Sequence, residues 1–329
     1  MAETQEEASL EVGVRRRRRF FLIDLFVRLF KTKPLGFIGF IVVMMLVLIA
    51  IFADVLAPYG YNEMILADRL TGPSATHFLG CDNMGRDLFT RIVYGARISI
   101  VVALGAQAIS AAVKLLVAVP SGYFGGKYDI ILQRFVDAWI CIPPLALYLT
   151  VMAILGAGMW QVIVVLGVSG GISQVRVIRS TVIRIRQEIY FEAARAIGVP
   201  GHRILLRHVL PNIMSVVIIS VATGMGMVIL AEATLSFLGL GIPPPYPSWG
   251  GMLSGSGRQY MMVAPWMMLW PGLALSSVVF AFNMLADALR DLLDPRLRGG
   301  LGRYGMSQEK LRRLAQKKGA GMQREASEA

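Results

Sequence analysis

Charged side chains are scarce in this sequence: Asp, Glu, Lys and Arg together make up 16% of its 329 residues. Soluble globular chains contain about 25% of these residues. Hydrophobic residues make up 55%, and the mean hydropathy is +0.60. The shortage of charge excludes an ordinary soluble domain and indicates that lipid is the solvent for much of the chain.

Cysteine and histidine are also rare, with two and three residues. Cys81 lies in a polar loop and Cys141 in an apolar stretch, so we expect two free thiols rather than a disulfide. The histidines His77, His202 and His208 fall in different segments. They cannot form one site, and no metal-ligand spacing is present.

Catalytic motifs are missing as well. No Gly-rich loop ends in Gly-Lys-Ser or Gly-Lys-Thr, so the chain cannot hold ATP in that way. No Ser-His-Asp or Cys-His set converges, and no pair of acids lies within an apolar stretch. A membrane-embedded enzyme and a secondary transporter remain as alternatives of another class, although a secondary transporter would be expected to show repeated halves. Dependence on ATP or on an ion gradient separates these classes.

What the sequence does contain is long apolar stretches. A membrane helix needs about 20 apolar residues. The uncharged stretch Ala138–Val175 is too long for one crossing, and Gly-Ala-Gly at 156–158 divides it. Six spans are predicted: Pro34–Ala53, Ile98–Pro120, about 130–155, about 160–175, Val209–Ala231, and a sixth that begins near Trp266.

The basic residues orient these spans. The net charge of +12 would also suit a nucleic-acid binder, but the charges lie between apolar spans and at the two ends. With the N-terminus inside, the outer loops hold Arg69, Arg86, Arg91, Arg97 and Arg258. Apart from Lys114, which lies within a span, the other Lys and Arg residues fall on the cytoplasmic side. This bias predicts that both termini are cytoplasmic, with membrane lipid and not nucleic acid as a partner.

Three regions follow along the chain. Residues 1–33 form an N-terminal arm, in which 20–30 is typical of an amphipathic helix in the inner interface. Residues 34–298 form the transmembrane domain, with a large outer loop at about 54–97 and a cytoplasmic loop at about 176–211. Residues 299–329 form a polar, basic tail, which we expect in the cytosol.

The cytoplasmic loop carries the most specific pattern. Gln187–Ile197 favours a helix whose alanines allow a partner to approach closely. Gly198 can adopt the left-handed conformation that ends a helix, and Pro200 prevents its continuation. A second helical turn then leads to Leu210 and Pro211. We expect a short helix parallel to the membrane that docks in a groove of a cytosolic partner.

This loop resembles the EAA loop of ABC importer permeases, in which Glu-Ala-Ala is followed at fixed spacings by Gly and by Leu-Pro. The matching positions are Glu192, Ala193, Ala194, Gly198, His208, Leu210 and Pro211. The position of His208 is often Ile in the wider superfamily, and His resembles the peptide branch. The resemblance implies that these residues couple the chain to an ATPase.

Other stretches resemble the C-type permease of dipeptide, oligopeptide and nickel importers. They are Leu79–Asp82, the outer-loop motif Gly85-Arg86-Asp87, Tyr94–Arg97, Leu235–Gly241, Pro247–Gly250 and Leu289–Arg296. The similarity covers roughly residues 34–298. Cys81 stands where Thr is usual, and Lys114 stands where a neutral residue is expected.

The resemblance implies an all-α integral membrane protein of the type I ABC importer permease fold, with six transmembrane helices and a cytoplasmic coupling helix. It implies a heterodimer with a B-type partner permease in the inner membrane. Two cytosolic ATPases bind ATP and Mg, and an extracytoplasmic binding protein delivers the substrate. This chain itself then holds no cofactor and is a pore subunit, not an enzyme. Di- or oligopeptides are the expected cargo, and nickel complexes, glutathione and oligosaccharides remain open.

Two charged residues lie within or beside predicted spans. Lys114 at mid-span costs about 2.5–3.5 kcal/mol on insertion scales. It snorkels from a span of different depth, faces the transport path, or pairs with Glu232, the only acid near the end of the fifth span. The sequence leaves these alternatives open.

Overall fold

The computed structural model of the chain describes residues 29–293, apart from the side chain of Ser256. Most of the predicted N-terminal arm, its interfacial helix included, and the whole tail at 299–329 lie outside the described residues. The chain divides into two compact units, and Pro34–Asp287 is the larger. The described part of the smaller unit, residues 29–33 and 288–293, contains an ion pair between Lys33 and Asp291 (2.5 Å).

Regular structure in the described residues is helical, and the one bridge of β type joins Cys81 and Asp87. The helices are α1 (Pro34–Ile51), α2 (Ala53–Leu56), α3 (Leu88–Phe124), α4 (Gly126–Cys141), α5 (Pro144–Leu155), α6 (Met159–Ser173), α7 (Val175–Arg186), α8 (Ile189–Ala196), α9 (Gly201–Ile204), α10 (Leu210–Phe237), α11 (Trp249–Leu253), α12 (Gly255–Gln259) and α13 (Trp266–Leu293). A 3₁₀ turn occupies Leu66–Asp68 and a π-helical turn Leu205–Val209.

Four helices are long and apolar enough to cross a membrane: α1, α3, the continuous helix Gly201–Phe237, and α13. Two bent pairs qualify together, α4 with α5 at 90° and α6 with α7 at 42°. The described chain therefore holds four membrane-length helices, or six spans if each bent pair counts as one. The predicted third span corresponds to the first pair. The predicted fourth span corresponds to α6 alone, and α7 falls in the loop predicted at about 176–211.

The breaks between these helices fall where the backbone cannot continue. Ile142 is extended (ψ 127°) because it precedes Pro143. Gly156 adopts a positive φ of 81° between α5 and α6, which confirms the predicted break at 156–158. Within lipid no water is present to bond to the open backbone groups at a helix end. The proline and the glycine at these two breaks therefore set the boundaries of the helices.

The sequence predicts that the second span begins near Ile98, and this expectation about α3 is wrong. Instead Gly85 forms a turn, and α3 begins at Leu88 and continues to Phe124. Asp87 caps it, because one carboxylate oxygen accepts a hydrogen bond from the Thr90 amide (2.8 Å). The stretch 88–97 carries Arg91 and Arg97, so its sequence alone does not show that it belongs to the same helix.

Helix α3 lies at the centre of the larger unit and packs against α1, α6, α7 and α10. Its closest approach is to α6. A Cβ atom at Gly167 would lie 2.7 Å from Ile109 Cβ, and one at Gly171 would lie 2.7 Å from Val113 Cβ. Small residues four apart allow two helix backbones to pack without the hydrophobic driving force that water provides. The core therefore depends on these two glycines.

Helix α4 is held to α7 by ion pairs. Asp129 accepts from Arg179 Nε (2.6 Å) and from Ser121 of α3 (2.5 Å), and Asp137 pairs with Arg176. These contacts fix α4 although its neighbour α5 turns away at 90°.

Two left-handed glycines allow a matched test of packing. Gly85 (φ 72°) has no room for a side chain, because a Cβ would lie 2.0 Å from the Ile65 carbonyl oxygen. Gly198 (φ 76°) has no atom within 4 Å of that position. We expect Gly198→Ala to destabilise by about 1 kcal/mol, the cost of the backbone conformation alone. Gly85→Ala should cost clearly more. The check is the thermal unfolding midpoint of each purified variant in detergent, and equal shifts would contradict the assigned backbone clash.

Candidate functional site

Of the predicted coupling residues, Glu192, Ala193 and Ala194 lie on α8, and Gly198 lies in the turn that follows it. His208 lies further along, in a π-helical turn, and Leu210 and Pro211 begin α10. Glu192 and Ala193 are exposed, whereas Ala194 is buried beside Phe191, which is 2% exposed. One face of α8 therefore packs inward, and the face that carries Glu192 is open to a partner. The predicted helix over 187–197 is confirmed, with bounds Ile189–Ala196.

Gly198 ends this helix as expected from the sequence. Its backbone N–H donates to the Arg195 carbonyl (3.0 Å), and the Val199 N–H donates to the Ala194 carbonyl (3.1 Å). With φ at 76°, this is a Schellman cap, which satisfies carbonyls that a helix end leaves open. The cap sets the length of α8 and directs the chain towards Pro200.

Helix α8 contacts the end of α3 through aromatic side chains. The rings of Phe191 and Tyr123 are 6.2 Å apart in an edge-on arrangement. Gly201 passes so close to Tyr123 that a Cβ there would lie 2.7 Å from its hydroxyl oxygen. Both α8 and the chain that follows it are therefore in direct contact with the last turn of α3.

His208 lies in the π-helical turn Leu205–Val209, which joins α9 to α10 just before Pro211. Pro211 has no N–H to donate, and a wider turn before it lets the helix continue. The ring of His208 lies 6.3 Å from that of Tyr190, and Asn212 Nδ2 donates to the His208 carbonyl (2.6 Å). Burial and the nearby Glu188 raise the pKa of the Tyr190 phenol. Leu210 packs against the buried cluster around Phe191.

The outer-loop motif has a structural role in this chain. Arg86 Nε donates to Asp82 (2.7 Å), and Asp87 contacts His77 Nδ1 (3.0 Å) as well as capping α3. Gly85 provides the left-handed turn between the two carboxylates. These contacts order the loop, and Arg86 and Asp87 are both buried.

Lys114 lines a cavity of about 450 Å³ within the larger unit. Its side chain is 1% exposed, and Nζ donates to Ser220 Oγ of α10 (3.0 Å). This arrangement does not fit a lysine that snorkels to a surface.

Lys114 and Glu232 form no ion pair with each other within residues 29–293, and each bonds to a serine instead. Glu232 is also 1% exposed, but it accepts from Ser236 Oγ (2.7 Å). Its second oxygen, Oε2, has no partner among the described residues. Ser236 is held in turn by the Ile242 amide (3.1 Å). Glu232 therefore bonds within α10, to a serine that also accepts from the turn after the helix.

Two neighbours of Lys114 in the cavity wall were not predicted from the sequence. Gln107 and Ser110 also line the cavity and precede Lys114 by seven and four residues. These three polar residues lie at i, i+3 and i+7 in an apolar helix, which places them on one face. That spacing was available as a signal in the sequence.

A second cavity, of about 590 Å³, lies where α3, the α5–α6 turn and the loop at 242–247 meet. Tyr61, Tyr94 and Trp160 are among its lining residues. Hydrogen bonds from Arg97 and Tyr94 lower the pKa of the nearby Asp54. No group of three His, Cys, Asp or Glu in the described ranges is placed to hold a metal ion.

Comparison with known proteins agrees with the family resemblance seen in the sequence. Residues 114–299 match the family described as "Binding-protein-dependent transport system inner membrane component". Residues 22–73 match the "N-terminal TM domain of oligopeptide transport permease C".

Two relatives cover most of the chain. The dipeptide transport system permease protein DppC of Alkalihalophilus pseudofirmus is 40% identical over 268 residues, which are 82% of this chain and 88% of that protein. The glutathione transport system permease protein GsiD of Escherichia coli is 37% identical over 275 residues, 83% of this chain and 90% of that protein.

Among solved structures, a chain of the MetNI methionine ABC transporter in an inward-facing conformation is 17% identical and has a TM-score of 0.45, covering 60% of this chain and 96% of its own. That likeness is too weak to compare helix positions. The match over residues 114–299 and the identity to two permeases over more than four fifths of the chain carry the assignment. The chain belongs to the family of binding-protein-dependent transport system inner membrane components, as a membrane-spanning ABC transporter permease subunit and not an enzyme.

Proposed function

We propose that this chain is the C-type permease of an importer for di- or oligopeptides. The observation that carries the proposal is the exposed Glu192 face of α8, held by a buried Phe191 and a Gly198 cap, within a chain 40% identical to a dipeptide permease. A short helix that is fixed on one side and open on the other suits insertion into a groove of a partner.

The proposed topology has six spans and two cytoplasmic termini. Each bent pair then counts as one crossing, which the 90° and 42° bends allow. The distribution of lysine and arginine supports this orientation. The arm at 1–33 and the tail at 299–329 then face the cytosol, on either side of the transmembrane domain at 34–298.

The proposed partners follow from the family. A B-type permease completes the transport path as a heterodimer, and an extracytoplasmic binding protein delivers the cargo. Two cytosolic ATPases bind ATP and Mg, and one of them receives α8 together with the turn that carries His208. Closure of the ATPases then displaces α8, and the Phe191–Tyr123 contact passes that displacement to α3.

The proposed cargo follows from the relatives of the chain and not from the geometry of a site. Glutathione is itself a peptide, and the 37% identity to a glutathione permease keeps it as the second candidate. Nickel complexes and oligosaccharides stay open, because the binding protein selects cargo before the permease does.

The first test is uptake of a labelled peptide pool into vesicles that carry this chain with its partner permease, ATPases and binding protein. We expect accumulation that requires both internal ATP and the binding protein. Hydrolysis of ATP without peptide accumulation would refute the peptide cargo but leave the importer class. A fully assembled complex with neither activity would refute the assignment of α8 as the coupling helix.

Two substitutions test the coupling residues. We expect Glu192→Ala and Gly198→Asp to reduce peptide uptake at least tenfold while ATP hydrolysis continues. The reason is that both change the docking face, and the space around Gly198 is open enough to accept a side chain in the fold. Glu63→Ala, which removes an exposed carboxylate from the large outer loop, is the matched control and should behave as wild type. Wild-type uptake in both α8 variants would contradict a coupling role for Glu192 and Gly198.

The anchor of α8 is tested separately by Phe191→Ala. This change leaves the exposed face intact but removes a side chain that is 2% exposed, at a cost of about 3–5 kcal/mol for a large aromatic group. We expect reduced uptake per ATP hydrolysed and earlier protease cleavage within residues 187–201. Phe191→Leu should restore most of the coupling; if it fails as completely as Ala, simple packing is not the basis of the anchor.

A further inference from the structure

The cavity beside Lys114 has an unusual balance of charge. It lies between α3, α5, α6 and α10, with a volume of about 450 Å³, within the range of about 300–1,000 Å³ typical of small-molecule sites. Lys114 is the only charged residue among those that line it in the described chain. The cavity therefore presents one positive charge and no negative charge.

The ammonium group of Lys114 has fewer hydrogen-bond partners in the described chain than it has N–H groups. It has three N–H groups to donate, and its one hydrogen bond in the described chain goes to Ser220 Oγ (3.0 Å). No ion pair within residues 29–293 includes it. A buried charge without a counter-ion is costly, so an anion that enters the cavity gains a strong partner.

The amine is held deep in the helix bundle. Lys114 lies ten residues before the end of α3, and helical side chains tilt towards the N-terminal end of their helix, here away from the nearer end. Its partner Ser220 lies near the midpoint of the continuous helix Gly201–Phe237. The charge therefore faces the interior of the span.

Gln107 provides a second, independent feature. Its side chain is 6% exposed, and the carbonyl oxygen Oε1 has no hydrogen-bond partner in the described residues. Gly224 of α10 makes room for this amide, because a Cβ at 224 would lie 2.3 Å from Gln107 Nε2. A buried acceptor without a partner is unfavourable, and a ligand N–H would satisfy it.

The hydroxyl groups of the cavity also act as acceptors. Ser220 donates its proton to the Val217 carbonyl (2.8 Å), and Thr223 donates to the Ile219 carbonyl (2.9 Å). Their oxygens remain able to accept hydrogen bonds. A ligand that fits must therefore combine one anionic group, for Lys114, with N–H groups for the other positions.

We propose that this cavity binds a transported peptide within the membrane, with Lys114 contacting the C-terminal carboxylate and Gln107 Oε1 accepting a peptide N–H. The inference rests on the proposed peptide transport and names the site within the permease that receives the cargo. Gln107 and Lys114 are two helical turns apart, about 10 Å along α3. An extended tripeptide covers that distance, at about 3.3–3.6 Å per residue.

The test compares a free peptide with its amide. The complete complex is reconstituted in nanodiscs without the binding protein, so that selection by that protein does not contribute. Binding of radiolabelled trialanine is then displaced by unlabelled trialanine or by trialanine amide. We expect the free acid to compete at least tenfold better with the wild-type complex. In Lys114→Met the two competitors should become equal within twofold.

Two further variants separate the site from a general defect. Gln107→Leu should weaken both competitors by a similar factor and keep their ratio, because the acid and the amide share the peptide N–H groups. Lys127→Met removes an exposed lysine from α4 and should keep the wild-type ratio. Assembly and ATP hydrolysis are measured for every variant.

Equal competition by acid and amide in the wild type would overturn the proposal, and so would an unchanged ratio in Lys114→Met or a failure of trialanine to bind the wild-type complex. Failure of this site is distinguishable from failure of the transport function. If wild-type vesicles accumulate peptide and Lys114→Met does so at the same rate, peptide transport stands and the carboxylate site falls.

Discussion

The close contact between α3 and α6 determines how the rest of the larger unit is arranged. Ile109 and Val113 fit against Gly167 and Gly171, where any larger residue would separate the two backbones. Positions 109 and 113 of α3 face α6, so the positions beside them in the sequence point in another direction around the helix. Positions 107, 110 and 114 face the cavity. A packing requirement on one side of the helix thus sets the position of the polar residues on the other.

The sequence predicted the membrane-length helices well, because apolar length is the feature that lipid requires. It predicted α8 and its end at Gly198 because both depend on local chemistry: small helix formers, then glycine and proline. It could not predict that α3 extends back to Leu88, since the first turns carry Arg91 and Arg97. Their charges are satisfied by partners that only the fold brings close, such as Asp54 for Arg97.

The surroundings of Lys114 could not be predicted for a similar reason. The sequence left a path-facing lysine and a pair with Glu232 open, and the distance between two side chains on different helices is one that no sequence pattern gives. Glu232 instead faces a hydroxyl four residues ahead, Ser236, on its own helix. Gln107 was not predicted, because a single amide in an apolar helix gives no signal by itself. Only the fold shows that a glycine of another helix, Gly224 of α10, lies opposite it.

Helix α3 is a rod of 37 residues, about 55 Å long at 1.5 Å per residue, and Pro120 lies one turn before Tyr123. A proline inside a helix removes one backbone hydrogen bond and allows bending. The segment of α3 that contacts α8 is therefore joined to the segment that lines the cavity through a turn that has one backbone hydrogen bond fewer than its neighbours. Because that turn lies between the two segments, a bend at Pro120 changes the angle that one segment makes with the other.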